Sequence, residues 1–326
     1  MKRMNKLCCF FFSMILCLSF AGCSKENAKE PEEKVNVRVG GLKGPTSMGL
    51  LFMMEEESEN QYDFKMATAA DELLPLMVQG ELDIALVPAN VAAVLYQKTQ
   101  GGVSVIDLNT LGVLYMVSGD TSIESIADLK GKTIYLTGKG TTPDYVLQYL
   151  LSENYLLEEC RLEYKSEATE VAAVLSEDEQ AVGFLPQPFV TAACAQNDAL
   201  KVVLSANEEW TKLQGEEGSR MVTGVTVVRK AFLEEHKEAV ELFIAEHAKS
   251  VEAINADAQA GAALCVKVGI VAKEPIARKA IPNCNIVCIT DEEMKQALEG
   301  YLKVLYAQAP ESVGGKLPGE DFYYVP

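Results

Sequence analysis

From Val35 onward, short β-branched runs alternate with segments whose apolar residues recur every three or four positions. Runs 35–40, 62–67, 83–87 and 103–108 predict strands. Between them, Met48, Leu51 and Phe52 give 46–54 a helical spacing. Asp71 predicts the cap of a helix that reaches Met77 and stops at Gly80, and Asn90 the cap of a helix over 91–98. A second series follows: strands at 132–137, 161–164, 181–185 and 201–204, with helices at 143–153, 169–175 and 189–195. Strands spaced by helices of this length predict βαβ units and mainly parallel sheets. Two apolar strands, 112–117 and 221–228, flank the second series and predict two crossings between domains. The last hundred residues are mostly helical. Val240, Phe243, Ile244, His247, Val251 and Ile254 form one stripe, and Thr290 with Glu293 predicts a capping box for a helix reaching about Tyr306.

The predicted architecture is therefore α/β, a clamshell with two hinge strands. Residues 35–117 plus 221–326 form lobe 1 and residues 118–220 form lobe 2.

The first 34 residues break this pattern. Lys2, Arg3 and Lys6 precede an apolar run, 7–20, too short to span a bilayer of about 30 Å. Residues 1–22 read as a signal peptide, and Ala21-Gly22-Cys23 resembles the end of a bacterial lipoprotein signal, with Cys23 as the lipidated residue. Residues 23–34 are polar and read as a flexible tether. The mature protein is then expected on the outer face of the cytoplasmic membrane, held only by lipid.

Charge narrows the function. Lys plus Arg number 29 against 47 Asp plus Glu, a net −18; cleavage before Cys23 removes three cations and leaves −21. Such a chain repels phosphate backbones, so nucleic acid is not an expected partner. Carboxylate runs at 55–57 and 177–179 read as solvated faces. Two histidines, His236 and His247, argue against histidine-based catalysis, and His247 on its apolar stripe reads as a buried, satisfied side chain. Five cysteines remain beyond residue 23, an odd number, so free thiols with at most a partial pairing are expected. Cys284 and Cys288 lie four apart without a second pair or a histidine at zinc-ligand spacing, so no metal site and no cofactor are expected.

Candidate ligand contacts lie where strands end. Thr137-Gly138-Lys139-Gly140-Thr141-Thr142-Pro143 is a strand, a glycine-rich turn and a helix start whose free N–H groups and dipole make a candidate anion site. It is not a phosphate-binding P-loop, since Gly140 stands where Ser or Thr would bind magnesium. Gly44-Pro45-Thr46-Ser47 repeats the logic after the first strand, and Asn90 after the third. Gln187, between two prolines, and Tyr115, on a hinge strand, complete the candidates. Trp210, the sole tryptophan, reads as packing.

Residues 125–134 (SIADLKGKTI), Gly80-Glu81-Leu82-Asp83-Ile84-Ala85, the segments 44–47, 88–90 and 137–143, and the tail 314–318 together resemble one branch of the type II periplasmic-binding-protein fold. That branch holds the ABC-importer substrate-binding lipoproteins related to sulfonate, taurine, nitrate and thiamine-pyrimidine binders. The resemblance implies two lobes closing on a small solute, a sulfonate-like anion before a heterocycle. It implies a permease and its ATPase as partners, a monomer, and no catalysis. A surface sensor on the same fold is the competing role. The pyrimidine synthases of this branch depend on an iron-binding cysteine cluster, and no such cluster is evident here.

Overall fold

Two sheets are built from the eleven strands of residues 34–215 and 218–326, the part of the chain that the computed structural model describes. The expected signal peptide, the lipidation site Cys23 and tether residues 24–33 lie outside the described residues. The chain lays down β1 (Asn36–Leu42), β2 (Gln61–Ala67), β3 (Ile84–Pro88) and β4 (Val103–Leu111). It crosses to form β5 (Leu114–Ser118), β6 (Thr133–Leu136), β7 (Arg161–Tyr164), β8 (Val182–Pro186) and β9 (Lys201–Ser205). It then returns for β10 (Val222–Arg229) and adds β11 (Ile286–Ile289). The first sheet has the order β11-β4-β10-β3-β1-β2 and the second β7-β6-β8-β5-β9.

In each sheet the strand that has just crossed runs against its neighbours: β5 pairs antiparallel with β8 and β9, and β10 with β3 and β4. The pairs β1–β2, β1–β3, β6–β7 and β6–β8 are parallel, as helical crossovers require. Strand β5 belongs to the second sheet. The first crossing therefore falls at Gly112-Val113, earlier than the expected boundary at 117, and the return comes just before β10.

The helices follow the predicted rhythm: α1 (Ala70–Gln79), α2 (Ala89–Lys98), α3 (Thr142–Glu153), α4 (Ala168–Glu177), α5 (Phe189–Gln196) and α6 (Ala206–Gln214). Then come α7 (Lys230–Glu235), α8 (Lys237–Ala256), α9 (Ala258–Lys267), α10 (Glu274–Ala280) and α11 (Asp291–Gln308). Three caps differ from expectation. The carboxylate of Glu72, not Asp71, closes α1 by accepting from the Thr68 and Ala69 N–H groups at 2.9 Å each. Asn90 lies inside the first turn of α2, behind Pro88. Thr290 donates to Asp291, while Glu293 faces Arg220 at 2.8 Å, so no capping box forms on α11. The segment 46–54 is a 3₁₀ helix, Pro45–Leu50, followed by turns.

One hydrophobic cluster continues through both lobes, from Val87 and Leu108 to Met116, Leu136 and Trp210. Trp210 on α6 is fully buried, 4.7 Å from the Tyr149 ring on α3 and 5.3 Å from the Tyr301 ring on α11. This stack joins second-lobe helices to a first-lobe helix. The indole N–H donates to Ser219 O at 2.7 Å, in the return crossing.

At the far end of β3, the buried Asp83 carboxylate receives Arg38 through Nε (2.8 Å), Nη2 (2.6 Å) and the backbone N–H (3.0 Å), and Arg229 through Nη2 at 2.6 Å. Burial alone would raise the Asp83 carboxyl; the hydrogen bonds from both arginines outweigh it and hold it below the usual carboxylate range. This clamp ties β1, β3 and β10 together.

The crossings themselves meet at Gly112. A Cβ there would stand 2.5 Å from Asn207 Oδ1 and 2.6 Å from the Met221 methyl. Asn285 donates to Gly112 O from the first lobe. Gly112→Ala should therefore cost about 1–3 kcal/mol by overpacking, read as a lower urea midpoint. Solution scattering should show the lobes set at a changed mean angle.

Candidate functional site

The carboxyl ends of β1, β3, β6 and β8 carry the loops that the sequence singles out, and ligands of open α/β sheets sit outside those ends. Asn90, in the first turn of α2, reaches across. Its Nδ2 donates at 3.2 Å to Gly140 O on the second lobe and at 3.2 Å to Ser312 O in the tail of the first. Thr142, the first residue of α3, donates to Asn90 Oδ1 at 3.3 Å and stands 3.5 Å from Thr223 O on β10. Asn90, Gly140, Thr142, Thr223 and Ser312 thus form one polar seam between the lobes.

Thr46 joins it from the 3₁₀ turn after β1. Its methyl lies against Gly224, where a Cβ would come within 2.5 Å, with Asn109 Oδ1 on the same spot. Gly224 also marks a register shift between β10 and β4, an irregularity that re-aims side chains at sites. The hydroxyls of Thr46, Thr223 and Ser312 are buried and have no hydrogen-bond partner among the described residues. A buried hydroxyl without a partner is costly and calls for an explanation.

Other candidates are placed differently. The Ser47 hydroxyl is also unpartnered, but it lies against Gly41 beside Met66, inside lobe 1. Gly44 and Pro45 set the 3₁₀ turn, with the Gly44 N–H on Leu42 O at 2.8 Å. Tyr115 reaches Asn283 O at 3.4 Å, a contact between lobes outside the seam, and burial raises its phenol. Gln187 spends its side-chain oxygen on Thr191, from N at 3.2 Å and Oγ1 at 2.8 Å, at the start of α5.

The glycine-rich turn departs most from expectation. Gly138 and Gly140 take φ of 75° and 73°, a conformation that glycine suits. Thr141 donates through Oγ1 to Gly138 O at 2.6 Å, so its hydroxyl serves the turn. The Gly140 N–H donates at 2.7 Å to the carboxylate of Asp144, in the first turn of α3. That buried carboxylate also accepts from Gln148 at 2.6 Å and Tyr164 at 2.7 Å. The helix therefore carries its own anion where a ligand anion was expected. Lys139 is exposed, with its ammonium 5.1 Å from the centre of the Tyr164 ring.

Sequence reasoning does not single out Thr223, Ser312 or Asp144. Their signals are thin: a Thr-Gly pair opening the return strand, a serine in a Pro-Glu-Ser-Val-Gly turn, and an acid in the first turn of α3. Two surface hollows, of about 570 and 440 Å³, lie elsewhere; one is lined by Tyr96 and Gly314–Lys316, the other by Met53, Tyr62 and Phe64.

Residues 48–270 match the protein family described as ABC transporter, phosphonate, periplasmic substrate-binding protein. No curated protein matches the chain at a significant level. Among solved structures, an ABC transporter from Parabacteroides distasonis is 23% identical with a TM-score of 0.74, covering 90% of this chain and 99% of that one. The periplasmic aliphatic sulphonate binding protein of Escherichia coli is 15% identical with a TM-score of 0.72, covering 90% and 93%. The alkanesulfonate-binding protein of Xanthomonas axonopodis pv. citri, bound to MOPS, is 13% identical with a TM-score of 0.69, covering 90% and 99%. At these identities the likeness is one of fold: two lobes, each a sheet flanked by helices.

Proposed function

Since the chain belongs to the periplasmic substrate-binding family of ABC transporters that carries the phosphonate name, we propose that it captures a small sulfonate-like monoanion between its lobes and presents it to a membrane permease. The observation that carries this reading is the set of buried, unpartnered hydroxyls of Thr46, Thr223 and Ser312 around the Asn90–Gly140–Thr142 seam.

These are neutral donors. A sulfonate group offers three acceptor oxygens, needs no donor from the solute, and carries a single charge. No lysine or arginine hydrogen-bonds to any of these side chains among the described residues, and Asp144 already supplies a carboxylate behind Gly140. A second negative charge would be poorly compensated, which disfavours a fully ionised phosphonate. The acidic surface opposes the long-range approach of any anion, but that field is screened beyond about 8 Å at physiological salt. Lipidation at Cys23, with residues 24–34 as tether, would keep the lobes beside the permease; residues 1–22 would be the leader removed. Gly44, Pro45, Gly138, Lys139 and Thr141 then shape the loops beside the seam, while Ser47, Tyr115 and Gln187 serve contacts away from it.

The test is a melting-temperature panel of alkanesulfonates, taurine, alkylphosphonates, sulfate and pyrimidines. Alkanesulfonates should raise the midpoint in proportion to the logarithm of their concentration. A response to pyrimidines alone would overturn the reading.

A further inference from the structure

Away from the seam, β4, α8 and β11 bring three chemically distinct side chains together in the first lobe. Asp107 and His247 are fully buried, and Cys288 is half-buried. One ligand atom from each (a carboxylate oxygen, an imidazole nitrogen and the thiol sulfur) lies within 4.8 Å of the other two. His247 Nδ1 is 3.0 Å from Asp107 Oδ2, while Asp107 Oδ1 accepts the Thr226 hydroxyl at 2.7 Å, and Thr226 in turn accepts from Asn109 at 3.2 Å.

The imidazole has little freedom. Its Nε2 packs against Gly49, where a Cβ would come within 2.5 Å, and has no hydrogen-bond partner among the described residues. Gly49 thus fixes the ring with Nδ1 facing Asp107. Thr226 fixes the carboxylate in the way that outer hydrogen bonds orient metal ligands.

We propose that Asp107, His247 and Cys288 form a binding site for one thiophilic divalent cation, zinc in chemistry, in the core of the first lobe. Carboxylate, imidazole and thiolate are zinc's three usual ligand types. Charge supports the choice. A divalent cation with one carboxylate and one thiolate is neutral. Binding releases the Cys288 thiol proton to water, and water takes the fourth position. Tetrahedral ligands at about 2.0–2.3 Å from a metal stand about 3.3–3.8 Å apart. Cys288, on the edge strand β11, is the ligand able to move inward. The three ligands share no residue with the ligand seam, so the site does not depend on the sulfonate reading.

The competing account is a hydrogen-bonded Asp–His pair with a bystander thiol. Metal-free full-length chain is titrated with cobalt(II) as the probe. One equivalent should bind with a near-ultraviolet thiolate-to-cobalt band. The band should vanish in Cys288→Ser and persist in Cys194→Ser, while zinc displaces the cobalt in the parent. Cadmium-113 NMR of the unmodified chain gives a readout independent of any variant's folding: a shift for mixed sulfur and nitrogen coordination supports the site. The proposal is overturned by no band at millimolar cobalt, by a band unchanged in Cys288→Ser, or by oxygen-only cadmium.

Discussion

Asp83→Ala should lower the stability of the fold by about 3 kcal/mol, because it strands two arginines on one buried position. The carboxylate accepts four hydrogen bonds, three from Arg38 and one from Arg229, and is itself 1% exposed. Both guanidiniums retain some contact with water, at 34% and 22% side-chain exposure, which keeps the loss toward the lower end for a broken buried pair. Differential scanning calorimetry should show a fall of about 5 °C. The same clamp gives a pH dependence of definite sign. The Asp83 carboxyl is depressed in the folded chain. Its stabilising contribution is therefore complete above about pH 4, the ordinary carboxylate value, and is lost as pH falls through the lower native value. Asp83→Asn keeps one acceptor and should lose less stability at neutral pH, with a flatter acid limb. An Asp83→Ala chain as stable as the parent would show that the arginines gain nothing from the pair.

Asn90→Ala should weaken solute binding by about 10–100-fold, the value of the two or three neutral hydrogen bonds that pre-form the seam across the lobes. The substitution removes the donor to Gly140 O and Ser312 O and the acceptor for Thr142. It touches no part of the Asp83 clamp or the aromatic stack, so the melting point without solute should fall by only a few degrees. Calorimetric titration with the best sulfonate of the panel separates the two effects. Unchanged affinity would place the solute elsewhere.

The alternation of strands and helices is legible in the sequence because β1, β3, β6 and β8 are short apolar runs that each end at Gly, Pro or Thr before a helix. Strand β11 is not, since Ile286–Ile289 is a four-residue run embedded among helices. Helix α6 escapes notice because its surface is polar and its anchor, Trp210, packs on residues far along the chain. Asn90 and Asp71 look like caps locally, but Pro88 and Glu72 set those helix starts, leaving the Asn90 amide for a partner 50 residues away. Ser312 meets Asn90 across 222 positions, and His247 meets Asp107 across 140, separations that no spacing rule spans. The glycine-rich turn is recognisable as a helix start. Its capacity for a ligand anion is not, because Asp144, in the same turn of helix, satisfies the Gly140 N–H itself.

The aromatic stack gives the molecule a built-in optical gauge. Its one indole is held between a tyrosine from each lobe and tied to the return crossing. Any rotation that parts α3 from α11 must alter the surroundings of that single emitter. Opening and closing should therefore be visible in the intrinsic emission of the unlabelled chain.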